Sequence, residues 1–316
     1  MPDSTTSGRI LVVGGTGELG AMIARKLLAA GRQVRVFGRN VEKLDALATQ
    51  GAEVFSGTLL DLDAITRACL DVAQIITTAN NVRGHGATSP NRVDLPAHRN
   101  LCAAAKQHHV QRLVYVSGLG MEATSPVDFF RLKHHIEVLV RQSGVPYVLL
   151  RPSAFMDLWV GTMIGEPILA GKAVMLFGDG ARVGNMIATD DVAQFAVRVL
   201  ERDDVRNEVV EIGGPSNLSS NDVVTLVERA LGVTAKRKRI PVAVLRIGST
   251  LLRPFNEVAS RMMSMGYFTA THDTSFADWR IAADRFGVAP VSVEAFIAQR
   301  FSTAFQNFRP SKSSES

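Results

Sequence analysis

Up to about residue 150 the chain alternates short apolar runs with stretches of helical periodicity, and this rhythm limits its architecture more than any other feature. The runs "RILVVGG", "QVRVFGR", "AEVFSG", "AQIITTAN", "RLVYVSG" and "PYVLLRP" are rich in β-branched residues, nearly continuous in apolar character and closed by turn formers. Strands buried on both faces look like this. Between them, "AMIARKLLAAG", "VEKLDALATQG", "LDAITRACLDV", "LPAHRNLCAAAKQHH" and "SPVDFFRLKHHIEVLVRQSG" read as helices. Strand and helix alternating at this spacing predict βαβ units, and so an α/β protein with a parallel sheet covered on both faces.

After Arg151 the rhythm loosens. "KAVMLFGDGARVGNMIATDDVAQFAVRVLER" predicts two short extended pieces around a GDG turn and then a helix, with Thr189 as N-cap and Asp190 and Asp191 suiting the first-turn dipole. "NEVVEIGG" predicts another strand. "SSNDVVTLVERALG" predicts a helix opened by a Ser219/Asp222 capping box and ended at Gly232. Residues 240–272 are rich in Met, Arg and Leu and poor in turn signals, which suggests a small helical lobe. Its amphipathic character would also suit a membrane surface, but a lid packed over the sheet is the expectation. The expected organisation is a polar, disordered N-terminus over 1–8 and a nucleotide-binding core over 9–155. A mixed region returning to the sheet and ending in a C-terminal lobe follows over 156–305, with a frayed tail over 306–316.

Composition narrows the function classes. A chain of 316 residues with 46% hydrophobic and 21% charged residues is a folded protein able to bury a large core. No apolar run is long enough to span a membrane, and "MPDSTTSG" is too polar for a signal peptide. Cys69 and Cys102 fit no metal or redox pattern and read as buried thiols in a reducing cytoplasm. No metal site is expected. The net charge of +5 suits anionic ligands. Its one cluster, "KRKR" at Lys236 to Arg239, runs straight into "IPVAVL" without interleaved aromatics, so a solvated loop or strand edge is expected rather than a nucleic-acid patch.

"ILVVGGTGELG" is the most informative segment. Gly14, Gly17 and Gly20 follow a strand and open a helix, and Gly15-x-Gly17-x-x-Gly20 also fits the dinucleotide fingerprint. Glycine is needed where the turn is tight, where backbone approaches a diphosphate, and where helix meets strand closely. The helix start then offers free N–H groups to the phosphates, which makes Gly14, Thr16, Gly17, Glu18 and Leu19 candidate ligands. The second strand refines the cofactor. A free ribose 2′-hydroxyl calls for Asp or Glu at its end, whereas "VRVFGRN" ends in Gly38-Arg39-Asn40, with Lys43 a turn further on. Arg39 and Lys43 therefore favour a 2′-phosphate, and NADP(H) over NAD(H).

With "GGTGELG", "VSGLG", "KHHIEVLVRQSGVPYVLLRPSAFM" and "IATDDVAQFAV" in view, the chain resembles the atypical short-chain dehydrogenases/reductases of the NmrA-like NAD(P)H-binding group, over about residues 9 to 300. The resemblance implies a Rossmann-type doubly wound sheet with a small C-terminal substrate lobe. It also implies contacts to adenine and nicotinamide from Thr58 and Leu59, from Thr78, Ala79 and Asn80, and from Pro152 to Phe155. Thr58 stands where the family often has an Asp for the adenine amine. In orthodox members a Tyr-x-x-x-Lys pair lies on the helix after the fifth strand, with a serine at that strand's end. The i,i+4 spacing puts both groups over one patch of helix surface. Here Ser117 and Lys133 match the serine and the lysine, while Phe129 holds the tyrosine position without an ionisable hydroxyl. Lys133 and Ser117 are the candidate catalytic pair, with Lys133 also a ribose ligand. A lysine snorkelling to solvent is the competing reading of Lys133. His134 and His135 are expected to be ordinary polar helix residues.

These features suggest an NADPH-dependent reductase of a small apolar carbonyl, quinone or enone, acting as a monomer or homodimer on a small-molecule substrate. A non-catalytic NADP(H)-sensing regulator or assembly factor is the alternative, since Phe129 removes the usual acid. A sugar-nucleotide epimerase is a weaker third. Methionines 156, 163, 175, 186, 262, 263 and 265 either line a pocket or fill the core.

Overall fold

A computed structural model describes residues 8–301; of the ends expected to fray, 1–8 and 306–316, all but Gly8 lie outside the described residues. The chain opens with β1 (Arg9–Val13), α1 (Glu18–Ala29), β2 (Val34–Gly38), α2 (Val41–Ala48), β3 (Glu53–Ser56), α3 (Leu62–Ala68) and β4 (Val72–Thr77). It continues with α4 (Pro90–Gln107), β5 (Arg112–Val116), α5 (Asp128–Gln142), β6 (Tyr147–Pro152) and β7 (Ala154–Phe155). A wide π-helical segment, Asp157–Gly165, leads to α6 (Glu166–Leu169), β8 (Val174–Phe177), β9 (Val183–Ile187) and α7 (Thr189–Glu201). The remainder is β10 (Glu208–Ile212), β11 (Asn217–Ser219), α8 (Ser220–Leu231), β12 (Arg237–Ile240), α9 (Val242–Leu251), α10 (Glu257–Thr271), α11 (Trp279–Phe286) and α12 (Val293–Arg300).

Seven strands form one parallel sheet in the order β10-β6-β5-β4-β1-β2-β3. This is the α/β parallel sheet expected from the alternation, doubly wound as the family resemblance implied. Alternate residues of β1 feed opposite layers: Ile10 and Val12 join one buried cluster with Ile23 of α1 and Phe195 of α7, while Leu11 and Val13 join another with Leu101 of α4 and Ile136 of α5. Both faces are dry, so the strands need apolar residues at successive positions. The chain reverses its direction of winding between β1 and β4, and the carboxyl ends of those strands border the crevice where such sheets bind ligands.

The GDG turn does not close a hairpin. Beside it, β8 pairs in parallel with β12, whereas β9 pairs with β7 and β11. The "KRKR" segment is thus a strand edge, with Arg237, Lys238 and Arg239 exposed. The Ser219/Asp222 capping box and a left-handed Gly232 bound α8 as expected. Three boundaries differ from the sequence reading. Helix α4 starts at Pro90, with Pro96 inside it, because a proline near a helix start and one within the second turn leave the same trace in sequence. Helix α5 begins at Asp128 rather than Pro126, since the Ser125 hydroxyl accepts from the Val127 amide in a local turn. Ala188, not Thr189, caps α7; the Asp157 carboxylate accepts from both the Thr189 amide (2.8 Å) and hydroxyl (2.5 Å), so the acceptor comes from another element.

Asp191 gives the fold a pH signature. It is buried and accepts from the Val291 amide, and burial pushes its carboxyl up to about 6, with Asp190 and Asp157 adding to the rise and Lys26 opposing it. Between its unfolded value near 4 and its folded value near 6 the native state holds the proton more tightly, so this stabilisation fades as pH rises through 6. Asp191→Asn keeps an acceptor for Val291 and carries no charge. It is expected to raise the melting temperature at pH 7.5 by roughly 2–4 °C, about 1 kcal/mol, with the gain shrinking toward pH 5. A melt series showing no pH dependence of the difference would overturn this assignment.

Candidate functional site

The glycine-rich bend sits at the carboxyl end of β1. Gly14 adopts φ +81°, and a Cβ there would lie 2.9 Å from both the Ala79 amide nitrogen and the Thr78 hydroxyl. A Cβ on Gly20 would lie 2.4 Å from the Gly14 carbonyl oxygen. One position needs the left-handed backbone; the other needs helix against strand without a side chain. Whereas α2, α3 and α8 are capped by Asn40, Asp61 and Ser219, α1 starts after Gly17 with no side-chain cap. Its first-turn amides, among them those of Glu18 and Leu19, therefore keep their donor capacity for an anion.

The other candidates border the same crevice. Thr16 packs against Gly38 at the end of β2. Arg39 and Lys43 are exposed, and neither side chain has a hydrogen bond or ion pair among the described residues. Thr58 follows β3, its hydroxyl accepting from the Leu60 amide, and Leu59 is buried beside it. Thr78 donates from its amide to the Val13 carbonyl at 3.0 Å, which ties the β4 end to β1. Asn80 is taken up within its own loop, donating to the Thr78 carbonyl at 3.2 Å. Pro152 and Ser153 lie buried at the end of β6, and Phe155 packs against the core.

Lys133 does not snorkel. It is buried, and its Nζ donates to the Val116 carbonyl at 3.1 Å and the Ser117 carbonyl at 3.3 Å. It also stands 5.2 Å from the Tyr115 ring centre and 5.8 Å from that of Phe129. Burial lowers its ammonium to about 8, against the opposing fields of Asp94 and Glu137. Phe129 is buried too, one turn before the lysine, and supplies an aromatic wall where orthodox members have a phenol. The Ser117 and Ser153 hydroxyls are buried without a hydrogen-bond partner. Buried polar groups are normally satisfied, so two orphans beside the strand ends fit a site that a polar ligand completes. His134 accepts no special role: it is half-buried with Nδ1 3.3 Å from the Met121 carbonyl, and His135 is exposed.

The structure adds two residues that the sequence reading passed over, Asp94 and His98 on α4. Asp94 is buried, accepts from the Asn81 amide at 3.1 Å and has its carboxyl raised by desolvation, with Lys133, Arg261 and Arg39 pulling the other way. The His98 Nδ1 lies 2.7 Å from the Asp94 backbone carbonyl, which can only accept, so Nδ1 carries the proton and Nε2 is left as an unpartnered acceptor. Burial lowers this imidazole to about 4 and keeps it neutral. The i,i+4 spacing of Asp94 and His98 was the available signal, hidden once the helix was begun at Leu95.

The glycine cradle, the uncapped helix start and the two orphaned hydroxyls together fit a dinucleotide. A family model described as NAD(P)H-binding matches residues 14–203, more than half of the chain. The chain belongs to the NAD(P)H-binding family. Among its relatives, a photosystem II assembly factor of Cyanophora paradoxa is 32% identical over 75% of this chain and 73% of that protein. The (4-alkanoyl-5-oxo-2,5-dihydrofuran-3-yl)methyl phosphate reductase of Streptomyces griseus is 30% identical over 75% of this chain and 79% of its own. An NADPH-dependent quinone oxidoreductase of Escherichia coli, solved with NADPH, shares the fold with a TM-score of 0.76 at 20% identity, covering 92% of this chain and 99% of that one.

The described residues also line two cavities. An apolar one of about 70 Å³ is lined by Ala154, Trp159, Met163, Met175, Phe177 and Met186. A polar one of about 330 Å³ is bordered by Ser89, Arg92, Asp128, Arg253, Glu257 and Arg261. The methionines divide between the two roles considered: Met156 is wholly buried core, while Met163 and Met175 line the apolar cavity.

Proposed function

We propose that this protein is an NADPH-dependent reductase of a small, apolar carbonyl, quinone or enone, working in the cytoplasm. The observation that carries the reading is Lys133, a dry ammonium held between the Val116 and Ser117 carbonyls beside the unpartnered Ser117 hydroxyl. A structural lysine has no need of such a place; a group that binds ribose hydroxyls and holds a proton near neutrality does. In this reading Gly14, Thr16, Gly17, Glu18 and Leu19 bind the diphosphate. Arg39 and Lys43 bind the 2′-phosphate, and Thr58, Leu59, Thr78, Ala79 and Asn80 surround the adenine side. Pro152 and Phe155 bound the nicotinamide side.

Bound NADPH supplies the hydride. The residues of the chain do the rest: Lys133 orients the ribose, the Ser117 hydroxyl orients a substrate oxygen, and the Phe129 ring and apolar cavity keep water out. With Phe129 in place of a phenol, the protonated Lys133 is the nearest proton-bearing side chain assigned to the site. Quinones and conjugated alkenes need less protonation by the protein than simple ketones do, which suits this arrangement. The reductase relative supports the reading.

The decisive assay is absorbance of the nicotinamide band with a quinone and enone panel; tight NADPH binding without turnover on any member would overturn it. That outcome would favour the second reading, an NADP(H)-sensing assembly factor, which the missing Tyr hydroxyl and the assembly-factor relative support. Cofactor choice is tested separately. Arg39→Ala is expected to weaken NADPH binding about 10–30-fold in calorimetry, the scale of one charged hydrogen-bonding group, and to leave NADH within about 2-fold. An equal loss for both nucleotides would remove Arg39 from the 2′-phosphate.

A further inference from the structure

The segment from Leu231 to Asn256 holds six basic residues, Lys236, Arg237, Lys238, Arg239, Arg246 and Arg253, and no acidic one. Its neighbours in sequence neutralise little of that charge. Glu228 pairs with Arg237 at 2.7 Å, and Glu257 borders the polar cavity with Arg253. Lys236, Lys238, Arg239 and Arg246 are all exposed and have no ion pair among the described residues.

The same segment carries an apolar stripe that nothing covers. Helix α9 buries only Leu245 fully and lies against α10, with Gly248 packed on Met263. On its outer side Val244, Ile247 and Leu251 are 47%, 57% and 64% exposed, and Phe255, in the turn that follows, is 87% exposed. Steps of three and four residues keep Val244, Ile247 and Leu251 along one side of α9, and Phe255 follows in the turn beyond its end. Val41, Leu70 and Ile281 are exposed singly, Leu60 and Leu62 form a short pair, and Met175 lies opposite Lys238 in the β8–β12 pairing. Helix α9 is therefore packed on one side only.

We propose that α9 and the exposed β12 edge leading into it dock this protein on an anionic lipid bilayer surface. Four unneutralised cations in the same segment as four exposed apolar side chains, with Phe255 standing out after Pro254, match what an interfacial element requires: apolar groups to enter the headgroup boundary and cations for the negative lipid surface. A bilayer accepts such a stripe without shape complementarity, whereas a protein partner would need a groove and acidic residues of its own. None of the described helices is long and apolar enough to cross a membrane, and the proposed attachment is peripheral and reversible. The proposal does not depend on the reductase reading.

The test is flotation of the full chain with vesicles of phosphatidylcholine alone or with equal phosphatidylglycerol. Binding to the mixed vesicles, at least tenfold weaker to the neutral ones and falling in 0.5 M salt, is the expected result. Two double variants, Lys238→Glu with Arg239→Glu and Leu251→Ser with Phe255→Ser, should each lower partitioning at least tenfold. Because all four side chains are exposed, the melting temperature and NADPH affinity should stay unchanged, which separates lost docking from lost folding or a failed cofactor site. Absence of binding to the mixed vesicles overturns the proposal. So does sedimentation showing wild-type dimers that the Leu251→Ser/Phe255→Ser variant abolishes while vesicles are ignored, since the stripe would then join two copies of this chain.

Discussion

Lys133→Met should yield a protein that melts at a higher temperature at pH 6.5 and binds NADPH about 10–100-fold more weakly. The two effects have one cause. Lys133 is buried, its ammonium is lowered to about 8 from an ordinary value of 10.5, and desolvation is the leading reason. Between those values the unfolded chain holds the proton more tightly than the folded one, so the contribution of this group to stability rises as pH climbs from 8 toward 10.5. At pH 6.5 the folded protein carries the charge at a cost. Methionine fills similar volume without that charge, giving up two hydrogen bonds to carbonyls that are each worth about 1 kcal/mol. A net gain of about 1 kcal/mol is expected, shrinking by pH 9.5, and differential scanning calorimetry at the two pH values measures it. The lost affinity reflects about 1.5–3 kcal/mol for charged hydrogen bonds to ribose hydroxyls. A variant that is less stable at pH 6.5 and binds NADPH normally would show Lys133 to be a structural residue.

Arg151→Met should destabilise the fold by about 3–5 kcal/mol, because it strands a carboxylate inside the protein. Glu137 is 1% exposed, and Arg151 holds it with two parallel bonds, Nε to Oε1 at 2.9 Å and Nη2 to Oε2 at 2.5 Å. Arg151 reaches on to Glu211 at 3.2 Å, linking α5, β6 and β10. The double variant Glu137→Leu/Arg151→Met removes both charges and should recover most of the loss, since a buried pair is rarely better than apolar packing of similar size. Urea titrations of the two singles and the double supply the cycle. Glu137 lies one turn beyond Lys133 and favours its protonated form. The Glu137→Leu arm should therefore also shift the pH dependence of NADPH binding to lower pH. Singles that cost under 1 kcal/mol would mean that water reaches the pair.

What the sequence made legible in this region is local. The bend at Gly14 to Gly20 needs glycine at positions set by its own backbone, and the i,i+4 spacing of Phe129 and Lys133 needs only one helix face; Ser117 was reached through the family resemblance. Asp94 and His98 were not legible, because Pro96 disguised where α4 begins and because a histidine in "LPAHRN" reads the same wet or dry. Thr189 was misassigned as a cap because the acceptor that serves its amide belongs to Asp157, 32 residues earlier.

By itself, the sequence determined the parallel sheet, the glycine cradle and the absence of a phenol at Phe129, since strand burial, turn geometry and residue identity are written locally. Only the tertiary structure decided that Lys133 is dry, that Glu137 is buried under Arg151, and that Val244, Ile247, Leu251 and Phe255 are left uncovered. Whether a side chain meets water depends on which distant element lies over it, and Lys133 and Glu137 are solvated or desolvated by contacts that no neighbour in sequence supplies.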